Sequence, residues 1–88
     1  MPTTTTTVVV GSTVGLHARP AAIIAEAAAD LDSEVLIGLP GAQGVDAGSA
    51  LMIMTLGAAH GATVEISGDV EADVAAIAAL VVRDLDAD

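Results

Sequence analysis

The 88 residues carry twelve carboxylates against two arginines and no lysine, a formal net charge of -10, and 53% of them are hydrophobic without one aromatic ring. That length allows one domain, residues 1–88, with a core of Ile, Leu, Val, Met and Ala. So few cations and no stacking ring exclude a nucleic-acid partner and disfavour an anionic membrane surface, while the absence of cysteine excludes disulfide and thiolate chemistry and fits a cytoplasmic location.

The Met1-Pro2-Thr3 start lacks the basic and long apolar regions of a signal peptide. No run free of Gly, Pro and charge is long enough for membrane insertion. Thr3 to Val10 is β-branched throughout, five threonines then three valines, and predicts a strand. Gly11-Ser12-Thr13-Val14-Gly15 is a loop bounded by glycines that delivers the chain to His17. A helix is predicted from Pro20 to about Asp30, because proline in a first turn has no N–H to lose and presets φ. Ile23, Ala27 and Leu31 share one face of it, with Ile24 and Ala28 beside them and Glu26 and Asp30 on the wetter side. Asp32-Ser33 breaks the pattern. Glu34 to Leu39 predicts a second strand, too continuously apolar to assign a face. Pro40-Gly41 gives a turn, and Ala42 to Asp46 a short third strand interrupted by Gly44.

Gly48-Ser49 opens a short helix over Ala50–Leu56, with Ser49 as its N-cap. Leu51, Met52, Met54 and Thr55 cannot all face inward on so short an element, so apolar surface is left exposed. The two methionines suit either core filling or an adaptable docking surface. Gly57 to Gly61 is a turn, and its His60 reads as an ordinary surface residue. Thr63 to Ser67 alternates cleanly, Val64 and Ile66 on one face, and predicts a half-buried antiparallel strand. Gly68-Asp69 opens the last helix. Asp69, Glu71 and Asp73 lie where the helix dipole favours negative charge, Val74, Ile77, Ala78, Val81 and Leu85 form its apolar stripe, and Arg83 suits the opposite end. Asp84, Asp86 and Asp88 read as a solvated tail. The short Pro40-Gly41 connection and the alternation at Thr63–Ser67 favour an antiparallel sheet with helices on one face, an α+β fold.

One stretch concentrates chemistry: Gly15-Leu16-His17-Ala18-Arg19-Pro20-Ala21-Ala22. Arg19 is one of two cations in the chain and stands two positions after one of two histidines. His17 and Ala18 fall at or just before a helix N-terminus, where unused N–H groups and the dipole favour an anion. A neutral imidazole is a nucleophile and can carry a covalent intermediate. Nucleophile, guanidinium and helix N-terminus together suit a phosphoryl group on His17, its oxygens held by Arg19 and by the backbone N–H groups of Ala18 and Arg19. No carboxylate in the motif orients His17 and no hydroxyl nucleophile is paired with it, so a histidine-based hydrolase has no support. The chemistry calls for no metal and no bound cofactor.

This stretch resembles the active-site signature of the HPr family, the histidine-containing phosphocarriers of the bacterial phosphoenolpyruvate-dependent sugar phosphotransferase system. Gly48-Ser49-Ala50-Leu51-Met52-Ile53-Met54-Thr55-Leu56-Gly57 resembles the family's second conserved segment, and Gly61 to Ile66 fits the turn and strand next to it. The resemblance implies an open-faced β-sandwich, a four-stranded antiparallel sheet covered on one face by three helices. It implies that Nδ1 of His17 accepts the phosphoryl group from Enzyme I and passes it to sugar-specific IIA units. It also implies partner docking on the first two helices, at Ala22, Leu51, Met52, Met54 and Thr55, by a monomeric carrier rather than a stand-alone enzyme. Ser49 occupies the position that a regulatory kinase phosphorylates in some members. Here Gly48 replaces a common basic residue and Ala50 a bulky apolar one, and the cap reading is favoured. The lysines usual around the docking face are also missing, which shifts recognition toward apolar contact and Arg19. The same histidine chemistry would serve a nitrogen-related paralogue or a dihydroxyacetone-kinase relay. A regulatory module that no longer carries phosphate would be free to lose the His-x-Arg-Pro string.

Overall fold

A computed structural model describes residues 3–85. The elements run in the order β1 (Thr4–Val9), α1 (Ala18–Ala29), β2 (Val35–Gly38), β3 (Val45–Asp46), α2 (Ala50–Met54), β4 (Thr63–Gly68) and α3 (Glu71–Val81). The four strands form one sheet in the order β1-β4-β2-β3. Every pairing in it is antiparallel. The three helices lie over one face, α3 against β1, β4 and β2, α2 beside β3, and α1 against both other helices. The expected α+β open-faced sandwich is the fold found.

Register explains which side chains face inward. Val8 stands opposite Val64 and Thr6 opposite Ile66, while Val9, Thr7 and Thr5 pair with Thr63, Glu65 and Ser67 on the outer face. Period-two alternation sends the first set toward the helices and the second to solvent. The same rule settles β2, whose sequence allowed no face to be assigned. Ile37 pairs with Ile66 and is buried with Val35, whereas Leu36 pairs with Ser67 on the outer side. The core closes with Ile24, Ile53, Ile77 and Val81 from the helices, all without exposure. At ~25 cal/mol per Å2 of apolar surface, burial of such aliphatic chains supplies the main favourable term.

Several boundaries differ from those predicted. α1 starts at Ala18 rather than Pro20, with His17 as N-cap. Pro20 is then the third residue of the helix. It still precedes the first intrahelical N–H bond, from Ala21 to the His17 carbonyl at 2.9 Å, so its missing N–H costs nothing there. The buried face of α1 runs through Ala21, Ile24, Ala25 and Ala28, and Ile23, Ala27 and Leu31 are its half-buried flank. Alanine on every side makes adjacent faces look alike in sequence. β3 has two residues, not five. α2 ends at Met54, after which Leu56 and Gly57 donate to Ile53 and Met54 in tighter three-residue turns. Gly68 ends β4 instead of opening α3, because it pairs with both Thr4 and Val35. Asp69 accepts a hydrogen bond from the Thr3 hydroxyl at 3.3 Å, and α3 begins two residues later with Val70 as N-cap. Asp84 is no loose tail, since its Oδ1 accepts the Thr13 N–H. Met1, Pro2, Asp86 and Asp88 lie outside the described residues.

Candidate functional site

The site lies at the end of the sheet where β1 finishes and β4 starts. β1 hands the chain on through two bonds with the turn before β4, Val10 N–H to the Ala62 carbonyl and Gly61 N–H to the Val10 carbonyl. Gly11 then passes across the C-terminal end of α3. Its N–H donates to the Val81 carbonyl at 3.0 Å, and a Cβ there would stand 2.0 Å from the Val82 carbonyl oxygen. Only a residue without a side chain fits that approach. Ser12 to Gly15 closes a turn, Gly15 N–H donating to the Ser12 carbonyl. Gly15 adopts φ 72, in the left-handed region, and a Cβ on it would meet the Ala58 carbonyl oxygen at 2.5 Å. Leu16 is buried and donates its N–H to that same carbonyl.

The next residue is therefore placed by the clamped segment before it. His17 is exposed, in extended conformation (φ -89, ψ -165), and its side chain makes no capping bond to α1. Ala18 and Arg19, both exposed, are the first two residues of α1. The imidazole thus stands at the positive end of a 12-residue helix dipole, with the guanidinium on the adjoining turn. Arg19 is the only Asp, Glu, Lys or Arg among residues 11–25 and 47–64. These two segments are almost uncharged in a strongly acidic chain, and a hydrogen bond brings the Asp84 carboxylate to the first of them, at the Thr13 N–H.

A shallow depression of about 230 Å3 adjoins the histidine, lined by Val14, Leu16, His17, Met54 and Gly57 to Ala59. The structure thus brings Met54 beside His17. Leu51, Met52, Thr55 and Ala22 are exposed on α2 and α1, two helices that pack together, but they do not line this depression. The inward-facing residue of α2 is Ile53. Thr55 caps the C-terminal end of α2, its hydroxyl donating to the Met52 carbonyl. Ser49 is the N-cap, Oγ accepting the Met52 N–H at 3.3 Å. His60 lies exposed in the turn before β4. Sequence reasoning gave Ser12 and Ala58 no part. A small polar residue in a glycine loop and an alanine in a turn give no chemical signal, and only the fold shows their contacts. A second depression of about 260 Å3, between Thr3, Ser33, Glu34, Leu36 and Ser67 to Asp69, lies at the far end of the sheet. It contains two carboxylates and no nucleophilic nitrogen.

This geometry can hold a dianionic group on an accessible imidazole nitrogen, with a cation and a helix N-terminus nearby. Comparison with known proteins points the same way. Residues 4–82 match the family model described as the PTS HPr component phosphorylation site. The fold superposes on a phosphocarrier protein HPr from Bacillus anthracis with a TM-score of 0.83 at 30% identity, covering 92% of this chain and 99% of that one. An HPr from Thermoanaerobacter tengcongensis matches with a TM-score of 0.83 at 27% identity, over 97% and 98% of the two chains. A histidine-containing phosphocarrier protein from Mycoplasma shares the fold, with a TM-score of 0.70 at 23% identity over 89% and 86%.

Proposed function

The chain belongs to the HPr family of phosphotransferase-system phosphocarriers, and from that membership we propose that His17 is its phosphoryl-carrying residue. The donor is a phosphohistidine of Enzyme I and the acceptor a histidine of a sugar-specific IIA unit. The observation that carries the reading is the exposed imidazole at the N-cap of α1, two residues before Arg19.

In the first transfer, Nδ1 of neutral His17 directs its lone pair at phosphorus. A new N–P bond forms as the donor's N–P bond breaks. The donor ring leaves as neutral imidazole, keeping the electron pair of the broken bond. The positive charge of the phosphoimidazolium passes to His17 together with the phosphoryl group. The second transfer repeats the exchange with His17 as donor, so no metal, cofactor or external proton source is required. Arg19 balances charge on the equatorial oxygens as the group arrives and leaves. The N–H groups of Ala18 and Arg19 and the dipole of α1 add a stabilisation of about 0.3–1 kcal/mol. The phosphoryl group brings about -1.5 to -2 of charge to a segment, residues 11–25, that itself carries no carboxylate. A moderate grip suits a carrier that must release what it binds.

Partners dock on Ala22, Leu51, Met52, Met54 and Thr55 around the histidine, through apolar contact more than charge, with the carrier acting as a cytoplasmic monomer. Ser49 is read as the cap of α2 rather than as a regulatory phosphosite. Incubation with phosphoenolpyruvate and a bacterial Enzyme I, followed by intact-mass measurement at neutral and acid pH, tests the assignment. One acid-labile phosphoryl group, missing in His17→Ala, is expected. An acid-stable adduct would move the chemistry to a hydroxyl and overturn it.

A further inference from the structure

Ser12 is the one buried polar side chain among the described residues, with no exposure. A buried hydroxyl persists only where its hydrogen-bonding capacity is used. Here Oγ donates to the Arg83 carbonyl at 3.3 Å and accepts the Leu85 N–H at 3.1 Å. The Ser12 carbonyl accepts the Gly15 N–H at 2.9 Å. One residue therefore joins the segment just after α3, more than seventy positions away, to the turn whose last residue precedes Leu16 and His17. Its neighbours make the same bridge. Gly11 N–H reaches Val81, and Thr13 N–H reaches Asp84 Oδ1 at 3.3 Å. The His17 side chain makes no capping bond of its own, so the direction of the imidazole is inherited from this clamped segment.

We propose that Ser12 is a positioning residue for phosphoryl transfer: its hydroxyl, locked into the segment that follows α3, fixes the loop that aims His17. The proposal rests on His17 being the carrier. Ser12 touches neither the phosphoryl group nor a docking partner, being fully buried. Its loss should therefore lower the rate of N–P bond exchange without weakening partner binding, as misplacement of a nucleophile does.

The test compares wild type, Ser12→Ala, Ser12→Thr and Asp84→Ala with phosphoenolpyruvate and a bacterial Enzyme I. Transfer rates are taken per folded molecule, with the folded fraction from circular dichroism, and the His17 ring is followed by its NMR resonances. In Ser12→Ala, kcat should fall about tenfold with KM unchanged within about twofold, and the ring resonances should shift or broaden. Ser12→Thr, which keeps the hydroxyl, should recover most of the rate. A purely structural role would lower melting temperature alone. Wild-type kcat and ring signals in folded Ser12→Ala overturn the proposal. If Ser12→Ala does not fold, the exposed Asp84→Ala decides, with about a threefold fall in kcat and shifted ring signals expected, and wild-type values overturning it. Absence of an acid-labile adduct on the wild-type chain itself would overturn the carrier reading instead, and the ring signals would still decide whether Ser12 orients His17.

Discussion

The backbone N–H of Leu16 donates to the carbonyl of Ala58 at 2.9 Å. This bond ties the residue before His17 to the turn after α2, and so fixes the histidine against the helix that carries Leu51, Met52 and Met54. Gly15 makes the approach possible. It turns through positive φ and leaves room for the carbonyl that a Cβ would strike at 2.5 Å. Position and chemistry are thus coupled through a residue that takes no part in transfer.

Gly15→Ala should accordingly be costly twice over. The left-handed backbone and the clash with the Ala58 carbonyl together destabilise by about 2 kcal/mol or more. Urea unfolding followed by circular dichroism measures that loss. Transfer per folded molecule should fall as well, because relief of the clash moves Leu16 and His17 away from the turn. A variant as stable and as fast as wild type would show that the turn adapts freely.

The place of the His-x-Arg-Pro string at a helix start was legible in the sequence, for physical reasons that single residues make plain. His17, Arg19 and Pro20 are chemically distinctive, and their spacing survives as the N-cap, second and third residues of α1. The alternation at Thr63–Ser67 survives as β4 because one of its faces is buried. Alanine-rich stretches were less legible. Ile23 and Ile24 compete for the core face of α1, and only packing against α2 and α3 selects Ile24. The role of Asp84 was hidden because its partner, Thr13, is more than seventy residues away in sequence. No local pattern marks a contact of that range.

Ser49→Ala removes the hydroxyl oxygen that accepts the Met52 N–H and leaves that donor at the start of a five-residue helix. Loss of an N-cap costs about 1 kcal/mol, equivalent to a fall in melting temperature of about 4–8 °C in a domain of this size. Ser49→Asp, which restores a capping oxygen, should recover the stability. The yield of acid-labile adduct should equal that of wild type in both variants. Loss of the adduct in Ser49→Ala with stability unchanged would transfer Ser49 from the scaffold to the chemistry.

Arg19→Ala should leave the fold intact, because the side chain is exposed and alanine favours helix. Phosphoryl transfer should slow about ten- to a hundredfold, corresponding to about 1.4–2.7 kcal/mol of barrier. Arg19→Lys should fall between, since an ammonium supplies charge without the planar pair of donors. Rapid-quench measurement of single-turnover transfer separates this effect from binding. An unchanged rate in Arg19→Ala would remove the guanidinium from the transition state and leave stabilisation to the helix alone.

Docking should respond to apolar contact and hardly to salt. Leu51 is 69% exposed and Met52 41% exposed on α2, in a stretch from residue 47 to 64 that holds no Asp, Glu, Lys or Arg. Surface positions of this kind contribute within about 0.5 kcal/mol to folding, so Leu51→Glu and Met52→Glu should unfold at the wild-type urea concentration. Placing a carboxylate where a partner must exclude water should nevertheless raise KM for Enzyme I about tenfold or more, with kcat unchanged once the carrier saturates. Raising ionic strength from about 0.05 M to about 0.5 M shortens the screening length severalfold, yet it should change wild-type KM by less than about threefold, because Arg19 is the single Asp, Glu, Lys or Arg within residues 11–25 and 47–64. A steep salt dependence would mean that the distant carboxylates steer the encounter after all. A KM indifferent to both glutamates would place the docking surface elsewhere on the molecule.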